Sequence, residues 1–192
     1  MGKIVISTNA TLDGVVQDPD GQDGFELGGW FNEFGGTDLQ DWAKLETEEA
    51  LGAEALLLGR RSDTWFGTRW NDRTGVWADR LNSLPKYVVS STLQEAVWQN
   101  STVLTGDVVK EVSQLKRKVD GEILVYASYQ LVRTLIEHDL ADQLRLVVYP
   151  VVLGAGARLF DQIGDKKPMR LVDLRTVGGG LVFYTYDFGR NA

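Results

Sequence analysis

The stretch ILVYASYQLVRTLIEHDLADQLRLVVYPVVLGAGARLF, Ile123 to Phe160, decides the architecture. Its first residues complete a short apolar strand, Glu122 to Tyr126, which ends at the small pair Ala127-Ser128. Ser128 to His138 reads as a helix, and Gln143 to Leu153 as a long apolar strand. Two strands joined by a helix-length segment imply a crossover, hence parallel neighbours in a sheet covered on both faces. The stretch closes on GAGARL, Gly154 to Leu159, which begins like a dinucleotide fingerprint but has Leu159 in sixth place. Helix-forming room then runs out within about ten residues, at Gly164 and Pro168, too soon for a crossover helix. This segment therefore reads as a turn.

Working outward from it, the same alternation continues toward the N-terminus. KIVIST, Lys3 to Thr8, is a β-branched strand running into a long Gly- and Asp-rich loop, TLDGVVQDPDGQDG. Loops of that length in compact domains usually carry function or move. Thr37 to Ala53 has Asp38 near its start, Leu39, Trp42 and Ala43 on one face and acids on the other, the pattern of an amphipathic helix. Strand Ala55 to Leu58, helices from Arg60 and from Thr74 to Leu84, strand Lys86 to Ser90, a weaker strand Ser101 to Leu104 and a helix Asp107 to Val119 follow. Beyond the central stretch, Arg170 to Val177 and Leu181 to Phe188 flank Gly178-Gly179-Gly180 as a hairpin, so the sheet should finish antiparallel. No repeat, low-complexity tract or proline-rich linker divides the chain, which reads as one α/β domain over residues 1–192.

Composition narrows the partners. With 192 residues and 43% hydrophobic composition the chain can bury one good core. Its formal charge of -7, from 27 acids and 20 bases, repels phosphate backbones and anionic lipids, so neither nucleic acid nor membrane is expected as a partner. The absence of cysteine removes disulfides and thiolate chemistry and fits a cytoplasmic protein. With a single histidine, His138, at the polar end of a helix, no metal site is expected.

An anionic ligand must then meet a local basic cluster, and ALLLGRRSDTWFG, Ala55 to Gly67, offers one. A glycine directly after a buried strand lets backbone approach a ligand, and the following helix start offers free amides to an anion. Gly59, Arg60, Arg61, Ser62 and Thr64 thus form a phosphate cradle, or else a helix start with solvated arginines and a Ser62 cap. The next strand ends in Ser90, Ser91 and Thr92, where parallel strands commonly meet ligands, although hydroxyls there also serve turns. A third strand ends in Ala127-Ser128, again small.

These residues resemble the dihydrofolate reductase-like fold and, within it, the reductase domain of the bifunctional riboflavin-biosynthesis deaminase-reductase. The resemblance is carried by TLDG after the first strand, LLLGRRSDTW, YVVSS, the central stretch ending in PVVLGAGARLF, and the closing hairpin. It implies a three-layer α/β/α fold, with a mostly parallel sheet and antiparallel last strands, that binds NADPH and reduces a small heterocyclic or carbonyl substrate. Dihydrofolate and 5-amino-6-(5-phosphoribosylamino)uracil are the family candidates. It also implies that Gly59, Arg60, Arg61 and Ser62 hold cofactor phosphates and that Ser90 and Ser91 lie near the 2'-phosphate. Ala127, Ser128, Tyr129, Gln130 and Leu131 take the place of a glycine-rich turn under the pyrophosphate. Reductases of this kind in riboflavin synthesis hold a ribose phosphate with arginines, yet Thr37 to Ala53 has one lysine and no arginine. Dihydrofolate reductases pair an acid with the pterin, and Asp38, Asp41 and Glu46 all qualify.

On this resemblance Thr11 and Asp13 lie beside the reacting ring, Asp13 orienting substrate or water for protonation, or else simply capping an Asp-Gly turn. Trp30 and Phe31 are expected to wall a pocket for a planar ring. The competing expectation is a non-catalytic NADP(H)-binding module. The long apolar strand and final hairpin would leave a sheet edge, so a homodimer is expected.

Overall fold

The first apolar run forms β1 (Lys3–Thr11), and it lies inside an eight-stranded sheet rather than at its rim. The computed structural model describes residues 1–161 and 163–189. After β1 come α1 (Trp30–Gly35), a 3-10 turn (Gly36–Asp38), α2 (Leu39–Gly52), β2 (Ala53–Gly59), α3 (Arg60–Trp70) and α4 (Val76–Ser83). Then follow β3 (Lys86–Val89), β4 (Ser101–Leu104), α5 (Val108–Lys118), β5 (Glu122–Tyr126), α6 (Tyr129–Glu137), β6 (Gln143–Tyr149), β7 (Met169–Val177) and β8 (Leu181–Phe188). The strand order is β4-β3-β2-β5-β1-β6-β8-β7. β1 through β6 pair in parallel, with Ile4 opposite Ile123 and Ile6 opposite Leu144, whereas β8 runs antiparallel to both β6 and β7.

Strand periodicity sorts the core into layers. Ile4, Ile6, Leu57, Ile123 and Val125 point to one face, where Val112 and Leu115 of α5 and Val132, Leu135 and Ile136 of α6 cover them. Val5, Leu56, Leu58 and Leu124 point to the other face, against Trp70, Leu81 and Trp98. Further along that second face, Val147, Tyr149 and Phe183 pack under Trp30 of α1 and Leu45 of α2. Each fully buried aliphatic side chain contributes about 1.5–3 kcal/mol, so these two layers stabilise the three-layer arrangement that the sequence predicts.

Two boundaries differ most from the sequence expectation. β1 runs on to Thr11 because β6 pairs with it all the way, Thr11 facing Tyr149. β6 stops at Tyr149 instead of Leu153, since Pro150 has no amide to give the ladder. Among the described residues no helix is long and apolar enough to cross a membrane.

Candidate functional site

The parallel strands deliver their carboxyl ends to one rim: Thr11 from β1, Gly59 from β2, Tyr126 from β5 and Tyr149 from β6. At that rim Gly59, Ser62 and Ser128 come together. The Gly59 amide donates to Ser128 Oγ at 3.0 Å, Ser128 Oγ donates to Ser62 Oγ at 2.8 Å, and the Ser128 amide donates to Ser62 Oγ at 3.1 Å. Ser62 is therefore buried and spent on the neighbouring turn, and it does not cap α3. That turn is unusual: Ala127 and Ser128 both adopt left-handed backbone, at φ 47° and 50°. Side-chain-bearing residues in this conformation cost roughly 1 kcal/mol each, a strain the hydroxyl network offsets.

Gly59 itself has an extended backbone, φ -84°, which any residue tolerates. A methyl there would meet only Ser128, at 3.8 Å, so the glycine keeps room open above the strand end. Beside it Arg60 and Arg61 are exposed in the first turn of α3, and among the described residues neither guanidinium has a hydrogen-bond or ion-pair partner. Open space, a helix start and two uncommitted cations fit the phosphates of a dinucleotide. Thr64 is exposed, its hydroxyl donating to Arg60 O at 3.1 Å.

The other sequence-predicted positions are more occupied. Ser90 Oγ accepts from the Thr92 and Leu93 amides at 3.2 and 3.0 Å and so shapes the turn after β3, while Ser91 is exposed beside it. Tyr129 lies under the Arg133 guanidinium, 5.4 Å from the ring centroid, and Gln130 is exposed. Leu131 points into the core, leaving only its backbone to the rim.

Thr11 and Asp13 hold each other. The Thr11 hydroxyl donates to Asp13 Oδ1 at 2.6 Å and accepts from the Val15 amide at 2.9 Å. Asp13 further accepts from the amides of Leu153 at 3.2 Å and Gly154 at 2.8 Å, and Arg158 Nη2 lies 3.4 Å from its Oδ2. Burial alone raises this carboxyl, but the hydrogen bonds from Thr11, Gly154 and Leu153 together outweigh it and bring its pKa to about 2. Asp13 thus fastens the GAGARL turn to the end of β1. It carries no proton at neutral pH.

The acids of α2 are where sequence reasoning fell short. Asp38 accepts from the Gly179 and Gly180 amides at 2.9 and 2.8 Å and pins the β7–β8 turn, and Asp41 pairs with Lys44 at the surface. Glu46 and Glu49, expected on the solvent side, are instead 3% and 7% exposed, packed inward with Leu45 and Ala50. Glu49 Oε2 accepts from Ser7 at 2.6 Å, and its Oε1 has only Arg145 Nη1 nearby, at 3.5 Å. Burial, reinforced by the charge of Glu49, pushes the Glu46 carboxyl well above the usual carboxylate range. The missed signal was the spacing Trp42, Leu45-Glu46, Glu49-Ala50, Ala53, which places both acids on the stripe that faces the sheet.

A chain of ring contacts links Tyr149 to Tyr126, the two tyrosines within electrostatic reach of Glu46. Tyr149 meets Phe31 at 5.4 Å and Trp30 at 5.3 Å, Phe31 meets Trp42 at 4.8 Å, Trp42 meets Trp77 at 5.5 Å and Trp77 meets Trp70 at 4.8 Å. Phe66 then links Trp70 to Tyr126. Trp30 is 1% exposed, its indole N–H donating to Gln17 O at 3.0 Å, while Phe31 is half-buried. The loop Asp18–Gly29 bridges α3 and α1, two of the four helices that contribute these rings. Trp65 of α3 donates to Asp20 Oδ2 at 3.0 Å, Arg69 to Gln22 Oε1 at 2.6 Å, and at the other end the Phe31 amide donates to Pro19 O at 3.0 Å.

His138 lies exposed at the end of α6, and among the described residues no group of His, Asp and Glu converges as a metal site requires.

These features match known proteins along nearly the whole chain. Residues 2–183 match the RibD C-terminal domain. The protein YyaP of Bacillus subtilis (strain 168) is 26% identical over 197 residues, covering 97% of this chain and 95% of its own. A putative riboflavin biosynthesis protein from Shewanella sp. PV-4 shares the fold with a TM-score of 0.76 at 20% identity, over 98% of this chain and 99% of its own. The diaminohydroxyphosphoribosylaminopyrimidine deaminase/5-amino-6-(5-phosphoribosylamino)uracil reductase of Thermotoga maritima does so with a TM-score of 0.64 at 14% identity, over 98% of this chain but 57% of its own. The fold is therefore dihydrofolate reductase-like, and the chain belongs to the RibD C-terminal domain family.

Proposed function

We propose that the protein is an NADPH-dependent reductase of a small heterocyclic or carbonyl substrate. The observation that carries this reading is the cradle at the strand ends, where Gly59 keeps space open, Ser62 and Ser128 hold the turn beneath it, and Arg60 and Arg61 stand unpartnered beside it. Those two cations and the first amides of α3 bind phosphate, with Ser90 and Ser91 flanking the cradle on the β3 side. When bound, NADPH supplies hydride. The accompanying proton does not come from Asp13, which is ionised and spent on Thr11, Leu153, Gly154 and Arg158. Glu46, buried on the sheet-facing stripe of α2 with its carboxyl raised by that burial, is the acid we assign to lend one.

The test is a comparison of NADPH and NADH binding in the wild type and in Arg60→Ala and Arg61→Ala. A charge-assisted contact contributes about 1.5–3 kcal/mol, so loss of the 2'-phosphate contact should weaken NADPH about ten- to a hundredfold and spare NADH. Equal loss for both cofactors would move that arginine to the shared pyrophosphate. Binding of NADPH without its oxidation by any pterin, pyrimidine or quinone would leave a non-catalytic NADP(H)-binding module.

A further inference from the structure

β2 and β3 end side by side, Gly59 opposite Val89, so Arg60 and Ser90 leave neighbouring strand ends. From Ser91 to Val97 the chain is exposed or half-buried and forms neither helix nor strand. It returns to the fold at Trp98, 1% exposed, and what receives it there is Asp63, wholly buried in the first turn of α3. Asp63 Oδ2 accepts from the Val97 amide at 2.8 Å and its Oδ1 from the Trp98 amide at 3.1 Å. One turn further along α3, a Cβ at Gly67 would come within 2.5 Å of the Trp98 amide nitrogen, so loop and helix are in direct contact there.

Trp98 is held from three other directions. Its indole N–H donates to Asn82 Oδ1 at 2.7 Å, its ring stacks on Phe66 at 4.9 Å, and the Lys86 ammonium stands 4.7 Å from its centroid. The far end of the loop is thereby fixed to α4 and β3, and Asp63 relates α3 to it. Ser62, the preceding residue, fastens the same turn of α3 to the β5–α6 turn through Ser128. Two consecutive side chains thus clamp the turn that carries Arg60 and Arg61. The residue type fits this task, because two amides need two acceptor oxygens, and a carboxylate supplies them where Asn or Ser has a single oxygen. An acid near a helix start would also repel an arriving phosphate, and burial against the loop amides keeps the Asp63 charge off the exposed start of α3.

We infer that Asp63 is a positioning residue for cofactor selectivity: without touching the cofactor, it sets the separation between Arg60 and Arg61 on α3 and Ser90 and Ser91 at the head of the loop, the two sides between which a 2'-phosphate is gripped. The inference rests on the cofactor half of the reductase reading and adds to it the residue that keeps the grip in register. Charge-assisted hydrogen bonds depend steeply on distance and angle, so a displaced loop costs the 2'-phosphate contact and leaves the rest of the dinucleotide where it was.

The experiment measures NADPH and NADH affinity on the full chain, by quenching of tryptophan fluorescence, for wild type, Asp63→Asn, Asp63→Glu and Asn71→Ala. Asp63→Asn gives up one of the two acceptors, whereas Asp63→Glu keeps both and moves them outward by one methylene. Each should lower the preference for NADPH over NADH about three- to tenfold, through weaker NADPH binding. Both cofactors bind the same folded chain, so the ratio of affinities is insensitive to a lowered folded fraction, and Asp63→Glu carries the test should Asp63→Asn fail to fold. Asn71, at the other end of α3, ties the same loop through Val97 O and the Gln99 amide, each at 3.0 Å. Asn71→Ala should lower the melting temperature and keep the preference within about twofold of wild type. A preference unchanged in both Asp63 variants, or shifted as much by Asn71→Ala, would overturn the inference. Wild type that binds neither cofactor, or both equally, would overturn the NADPH reading, and the inference with it, before any variant is made.

Discussion

At the scale of single residues, Asp13 shows how far a carboxylate's role depends on partners that its neighbours in sequence do not reveal. Thr11-Leu12-Asp13-Gly14 was legible as a loop at the centre of the sheet, but the Leu153 and Gly154 amides that claim its oxygens lie 140 and 141 positions away. No local pattern marks such a pairing. Because its folded pKa is depressed, Asp13 stabilises the fold fully above pH 4 or so, and that contribution is lost as pH falls toward about 2. Asp13→Asn keeps the size, gives up the ion pair to Arg158 and weakens the acceptors, so it should cost about 1–2 kcal/mol at pH 7 in urea unfolding and flatten the acid limb. Turnover that drops far more than stability would bring Asp13 back into the chemistry. Ala127 and Ser128 were legible as a small pair at a strand end; their paired left-handed backbone was not, since neither residue type advertises it.

Among the elements, α2 was read correctly as a helix and incorrectly as to its faces. Counting acids as solvated is right for most helices, because carboxylates are seldom buried without partners. Glu49 keeps to that rule through Ser7 and Arg145 whereas Glu46 breaks it, which is why burial, invisible in the sequence, was needed to pick Glu46 out from Asp38 and Asp41. The raised carboxyl has a consequence for stability. Unfolded, Glu46 releases its proton near pH 4.5, whereas the folded chain holds on to it, so this group costs stability progressively as pH rises above 4.5 until its folded pKa is passed. Glu46→Gln removes that cost. Its urea midpoint should match wild type near pH 4 and exceed it increasingly toward pH 8; a midpoint below wild type at pH 8 would show that the carboxylate is satisfied as an anion.

The whole sheet was legible because alternation of strand and helix, then of hairpin strands, is a long-range pattern written in short-range residues. Strand order was not, and it leaves part of one sheet face uncovered. On the face that α5 and α6 cover at its centre, the outer strands carry Leu146, Tyr184 and Tyr186, and at the edge Leu171 and Leu174 of β7 remain 46% and 55% exposed. We expect a homodimer through this face, since an apolar edge strand left in water invites pairing. Light scattering should give a dimer mass over a hundredfold dilution and a monomer mass for Leu171→Lys/Leu174→Lys; a monomeric wild type would reject the interface.

The buried polar groups of Glu46, Tyr126 and Tyr149 bear on how this chain can evolve. A library screened for heat resistance alone would be rewarded for replacing Tyr126 and Tyr149 with apolar residues of similar volume, because each such change removes an unmet hydrogen-bonding group from the interior, and for replacing Glu46, whose burial disfavours its charge. Sequences emerging from such a screen would be hardier and would lack the buried acid of α2. A lineage that keeps these residues does so against the pull of thermal robustness.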